Sequence, residues 1–239
     1  MKTSTTVAAV AVVAAGFAAS TASAGFANLQ YLGVGKGRNV QYVWNGTETK
    51  NVFAGQLRHR LANTSGPLVV VNGDYLTYCT DLFQTVTSTA KSYQQTSIAT
   101  IPFSPIAASM GNSKAAGLRS LYAMSGAGGI ASNASDDLAA AFQLMVWEIV
   151  YDFDGTSASL STTGGNLKFR QTNGNALTTG VQNAFNNLRN SVLANADTPW
   201  LFGFASGSNQ DQLVFVPTPG SLALMGAAGL LAARPRRAR

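Results

Sequence analysis

Two short segments hold the residues best suited to chemistry. Tyr78-Cys79-Thr80-Asp81 contains the only cysteine in 239 residues, and Phe142-Gln143-Leu144-Met145-Val146-Trp147-Glu148-Ile149 sets a carboxamide four positions before an indole. One cysteine makes no internal disulfide. It is an inert buried thiol, half of an intermolecular disulfide, or a group bonded to something other than cysteine. A free Cys is most often a small buried apolar residue. On a helix, Trp147 lies over the same face as Gln143, where core packing is its simplest role. Asp81 and Glu148 are placed to orient neighbouring groups or to serve as caps. His59 is the only histidine; with no Cys, His or Asp cluster beside it, no metal site is expected. No Gly-x-Ser-x-Gly elbow supports a hydrolase that would have to use it. No phosphate loop follows a strand. No catalytic residue and no cofactor are therefore assigned.

The first half of the chain has the pattern of β structure. Asn39 to Trp44 alternates, meets Asn45-Gly46 and continues toward Val52-Phe53, a strong hairpin signal. Gln56 to Leu61 alternates again, with Leu57, His59 and Leu61 on one face. A second hairpin is expected from Leu68–Val71 through Asn72-Gly73 to Tyr75–Cys79, which sets Cys79 at a strand end. The second half is helical. One helix is expected over Ser113–Ser125, stopping at Gly126-Ala127-Gly128-Gly129. A second starts at an N-cap Ser135, with Asp136 and Asp137 at the positive end of its dipole, and carries Leu138, Phe142, Met145 and Ile149 to about Tyr151. A third places Val181, Phe185, Leu188 and Val192 on one face, and short strands are expected at Leu167–Phe169 and Gln212–Val216. The pattern is α+β: antiparallel hairpins or a partial barrel first, a helical subdomain second, and no βαβ alternation.

The two ends read as targeting. Lys2, an apolar stretch from Val7 to Ala19 and Ala22-Ser23-Ala24 form an expected signal peptide over residues 1–24, with Ala22 and Ala24 at the −3 and −1 positions. The apolar run is short of the roughly 20 residues that span a bilayer. At the other end Val216-Pro217-Thr218-Pro219-Gly220 leads into an uncharged segment from Ser221 to Ala233, followed by Arg234, Arg236, Arg237 and Arg239. Clustered Arg holds that end on the cytoplasmic side. This arrangement resembles a PEP-CTERM sorting signal, in the form Val-Pro-Thr-Pro. The resemblance implies that residues 217–239 insert transiently in the membrane. There an exosortase, a membrane transpeptidase, cleaves near Pro217, Pro219 and Gly220 and passes the protein to the cell envelope or extracellular surface.

Between the ends lies one body, residues 25–216. Lys2 and the four tail Arg account for five of 16 basic residues, leaving 11 against 10 acidic ones, so the body is nearly neutral. No electrostatic footprint for nucleic acid remains.

Taken together, Tyr78-Cys79-Thr80-Asp81 and Phe142-Gln143…Trp147 resemble the thioester domains of bacterial surface proteins. There a strand-borne Cys after an aromatic residue pairs with a helix-borne Gln followed four positions later by Trp. Thr80 stands where an aliphatic residue is usual, and Met145 where a small Ala is usual. The resemblance implies that the Cys79 thiol attacks the Gln143 amide and expels ammonia. Only a thiol has the nucleophilicity for this at neutral pH. The internal thioester would then pass its acyl group to an amine, or less readily a hydroxyl, of a target such as a surface amine or matrix polysaccharide. Tyr78, Phe142 and Trp147 would exclude water. The alternative is a structural component of the envelope or exopolysaccharide matrix with the same fold and no such bond.

Overall fold

A computed structural model describes residues 25–66, 70–104 and 107–216. The expected signal peptide, with Ala22 and Ala24, and the expected sorting tail, with Pro217, Pro219 and Gly220, lie outside the described residues.

The hairpin signalled by Asn45-Gly46 is far longer than its alternating stretches suggest. Strand β1 (Phe26–Trp44) pairs antiparallel with β2 (Glu48–Ser65), and Gln56–Leu61 continues β2 rather than forming a strand of its own. Asn45 and Gly46 both have positive φ, 50° and 73°, as a tight turn that follows the strand twist requires. Register breaks near Tyr31 and between Val34 and Gly37 bend the ribbon. At the second break Gly37 faces Gly55. A Cβ on either would lie 2.4 Å from the Ala54 carbonyl oxygen or 2.3 Å from that of Lys36, so the crossing tolerates only glycine.

The bend lets one hairpin serve two layers. Its base joins β3 (Gly73–Cys79), β4 (Lys91–Thr96), β6 (Leu201–Ala205) and β7 (Gln212–Phe215) in the order β1-β2-β3-β7-β6-β4 and back to β1. That ring of six strands surrounds a small core of Ala27, Leu29, Leu61, Val70, Tyr93, Phe204 and Val214. Two of its strands come from the second half of the chain, so the barrel is not completed by the first half alone. β5 (Leu167–Gln171) pairs with the tip of β1, over Val40–Trp44, outside the ring.

Of three helices, one packs against β1 and β2, and the other two pack on it and on each other. Helix α1 (Gly111–Gly129) runs through the glycines expected to end it. The physical reason is packing: a Cβ on Gly129 would lie 2.6 Å from the Phe142 ring, so glycine permits close helix approach there. Helix α2 (Asp136–Tyr151) begins as expected, with the Ser135 hydroxyl accepting from Leu138 N at 3.1 Å. All twelve residues from Ala139 to Val150 are buried; a helix buried all round belongs at the centre of a fold. Helix α3 (Thr179–Leu193) presents Val181, Phe185, Leu188 and Val192 inward.

The second expected hairpin is corrected. β3 pairs with Leu57–Leu61 of β2, and no strand is formed at Val70–Asn72; residues 67–69 lie outside the described ones. The α+β class holds, with seven antiparallel strands in one sheet and three helices in the second half.

Candidate functional site

Cys79 is the last residue of β3, where that strand changes partners. On one edge it is in register with Gln212 of β7. On the other, pairing with β2 ends at Leu57 opposite Thr77. Beyond that point the Gln143 carboxamide takes the place of a strand. Cys79 N donates to Gln143 Oε1 at 3.1 Å, and Gln143 Nε2 donates to Cys79 O at 2.8 Å. Cys79 and Gln143 are 3% and 1% exposed, so these bonds form out of water. The two residues that the sequence pairs by resemblance are brought together 64 positions apart.

One stripe of α2 continues the contact. Trp147 lies one turn beyond Gln143 and Tyr151 one turn further, and the segment leaving β3 runs alongside them. The Trp147 indole N–H is buried and has no hydrogen-bond partner. The Tyr151 hydroxyl accepts from Leu82 N at 3.0 Å. Lys114 Nζ donates to the carbonyls of Val150 and Tyr151 at 2.9 and 3.0 Å and so caps the end of α2. Trp44, Phe83 and Tyr151 meet edge to face at 5.3–5.8 Å between centroids and line an open cleft of about 210 Å³ with Lys114.

The aromatic residues singled out from sequence are buried in the same core as Cys79. Tyr78 and Phe142 rings are 4.8 Å apart, and Tyr122 of α1 meets Phe142 edge-on at 5.0 Å. The Tyr78 hydroxyl donates to Gly129 O at 2.5 Å, sharing that carbonyl with Gln56 Nε2 at 2.8 Å. Trp147 stacks on Phe169 at 6.0 Å. Burial pushes the Cys79 thiol well above the ordinary thiol range; the indole N–H opposes this, and the charge of Asp81 adds to it.

The two acids divide. Asp81 is buried and turns back on the chain, its Oδ1 accepting from Phe83 N at 2.8 Å. Its pKa is raised by burial and opposed by backbone N–H groups of Phe83 and Gln84. It shares its surroundings with Asp211, which no sequence signal marked. Asp211 Oδ1 accepts from Ser206 N at 2.7 Å, its other oxygen accepts from Phe103 N, and its carbonyl accepts from Thr80 N at 3.1 Å. Asp211 thereby holds the turn after Cys79 in place, and burial pushes its carboxyl up to about 6. Glu148 points elsewhere. Its Oε2 accepts from Ser161 N at 3.3 Å, Oε1 is unpaired, and burial pushes it up to about 9.

His59 belongs to the interior near the barrel. Its Nδ1 is 2.9 Å from Thr77 Oγ1, which donates to Gln212 Oε1 at 2.9 Å. A hydroxyl that gives its one proton to Gln212 must accept from His59, so Nδ1 carries the proton. Among the described residues no group of three or more His, Cys, Asp or Glu is arranged to hold a metal ion.

Of the residues sequence reasoning missed, Tyr151 was accessible, since it continues the four-residue spacing of Gln143 and Trp147. Tyr122 and Asp211 had no local signal. No family model matches the chain, and no curated protein or solved structure matches it either. The site is read from its own geometry.

Proposed function

We propose that this is an exported surface or matrix protein, sorted by its C-terminal tail, that attaches to a target through an internal Cys79–Gln143 thioester. The supporting observation is the buried, head-to-tail pairing of the Gln143 amide with the Cys79 backbone. The Cys79 N–H polarises the Gln143 carbonyl and is aimed at the oxygen on which negative charge develops. The sulfur attacks Cδ, the thiol proton passes to Nε2, the C–N bond breaks and ammonia leaves. A target amine later attacks the same carbon; the C–S bond breaks, the amine proton passes to sulfur, and the target remains amide-linked to residue 143.

The same bonds favour a second reading. Each pairs a buried backbone group whose loss costs about 1–3 kcal/mol, so the amide also serves as a structural clamp in a matrix component that never reacts.

Intact mass of the body, residues 25–216, separates the two. A thioester leaves the chain lighter by one ammonia, without a titratable thiol, and gives a methylamine adduct absent in Cys79→Ala. An unmodified mass with one reactive thiol after denaturation sinks the covalent reading. Sorting is tested apart from this: in a host with an exosortase, Pro217→Ala with Pro219→Ala should retain the tail, and normal processing would remove that proposal.

A further inference from the structure

We infer that covalent capture and the closed Cys79–Gln143 clamp exclude one another, so that bonding a target opens the end of β3. The inference deepens the proposed thioester chemistry and rests on that reading.

Gln143 Oε1 accepts from Cys79 N at 3.1 Å, and Gln143 Nε2 donates to Cys79 O at 2.8 Å. A carboxamide that meets the N–H and C=O of one residue in this way uses its oxygen and the amide hydrogen on the same side as that oxygen. The product of capture is an N-substituted amide, which keeps one hydrogen. Its substituent prefers the oxygen side by about 70-fold, the preference that makes peptide bonds trans. That is the side of the hydrogen now held by Cys79 O. A carbon bonded to Nε2 at about 1.5 Å along this 2.8 Å line would stand far inside contact distance of the carbonyl oxygen.

The opposite side is closed as well. It faces Cγ of Gln143 and the body of α2, whose residues from Ala139 to Val150 are all buried. Gln143 is 1% exposed, so a target of any length has no path outward while the clamp is shut.

What yields is the strand end rather than the helix, because α2 is packed on every side. Pairing of β3 with β2 ends at Thr77, and residues 80–85 after Cys79 belong to no helix or strand. In the capture step the amine nitrogen attacks Cδ, the C–S bond breaks with its electron pair on sulfur, and an amine proton passes to sulfur. The thiol, buried at rest, is thus set free as its cover is lost. Ammonia is the exception among amines. It returns the original carboxamide, and the clamp closes again.

The test compares methylamine with ammonia on the full chain, since the two products differ by one methyl group at residue 143. Intact mass identifies each product. In the ammonia product, held in ammonium buffer, the Cys79 thiol should be protected from alkylation and the Cys79 amide from hydrogen exchange. In the methylamine adduct both should be about 70-fold faster, because the closed form there requires the disfavoured amide. Equal rates in the two products overturn the inference and leave the thioester reading standing. An untreated chain that has lost no ammonia removes the thioester reading, and the inference with it.

Discussion

At Cys79 a thiol is withdrawn from water and surrounded by aromatic rings, while its backbone is held by a side chain from another element. The amide of Gln143 therefore has a structural share whatever its chemistry. Gln143→Ala should lower unfolding free energy by about 2–6 kcal/mol, read from denaturant midpoints, because two buried backbone groups each lose their partner. Two other buried residues contribute to the pH profile with opposite signs. His59 is pushed down to about 4 from 6.5. Between those values the unfolded chain binds the extra proton, so stability is lost as pH falls from about 6.5 toward 4. Glu148 is pushed up to about 9 from 4.5. There the folded chain holds the extra proton, so its contribution is complete below about 4.5 and lost as pH rises toward 9. His59→Gln should flatten the acid limb of thermal stability. Glu148→Gln should flatten the alkaline limb and raise stability at pH 8 by about 1 kcal/mol or more. An alkaline limb unchanged in Glu148→Gln would mean that the carboxyl is not held neutral.

At the scale of elements, α2 is the piece on which the site depends. It is buried on every side, starts from the Ser135 cap, ends on Lys114, and spaces Gln143, Trp147 and Tyr151 at successive turns toward the end of β3. Its distance from α1 is set by Gly129 against Phe142. Gly129→Ala should therefore destabilise by about 1–3 kcal/mol through overpacking, and should also loosen the Tyr78 contact at the Gly129 carbonyl. Near-ultraviolet circular dichroism and denaturant midpoints read both effects. Ser135→Ala should cost about 1 kcal/mol through the cap alone, leaving the aromatic signal unchanged. Much of this helix was legible in sequence, because its cap and periodicity are local. Its position at the centre was not, since full burial needs β1, β2 and α3, which are far away in the chain, as well as the neighbouring α1. The extension of α1 through Gly126–Gly129 was likewise hidden: glycine reads as a stop unless the neighbouring ring is known.

The molecule as a whole closes on itself through late strands. β7 pairs with β3 and β6, and β6 with β4, so the barrel begun by the long hairpin is completed by residues after α3. Such a ring couples its members. Val214→Asp, which buries a charge in the small barrel core, should cost on the order of 3–5 kcal/mol. Amide exchange should then rise together in β3, β4, β6 and β7; a rise confined to β7 would show that the ring does not unfold as a unit. The ring also explains one strand that had no local signal and one expected strand that does not form. Lys91–Thr96 is polar and carries little strand pattern, and it becomes β4 because β1 and β6 offer it two edges. Val70 and Val71, from the strand expected at Leu68–Val71, form no strand, since β2 and β7 occupy the two edges of β3.

The sequence alone determined the α+β class, the Ser135 cap, the inward face of α3, the Asn45-Gly46 turn, and the two segments in which a lone thiol and an amide reside. Those are written in local spacing, turn chemistry and composition. Tertiary structure decided that the hairpin bends to serve two layers, that the barrel closes, and that Gln143 meets the backbone of Cys79. It also decided that Glu148 faces Ser161 while Asp211 holds the turn beyond Cys79. These depend on which distant surfaces bury one another, and residue spacing carries no record of that.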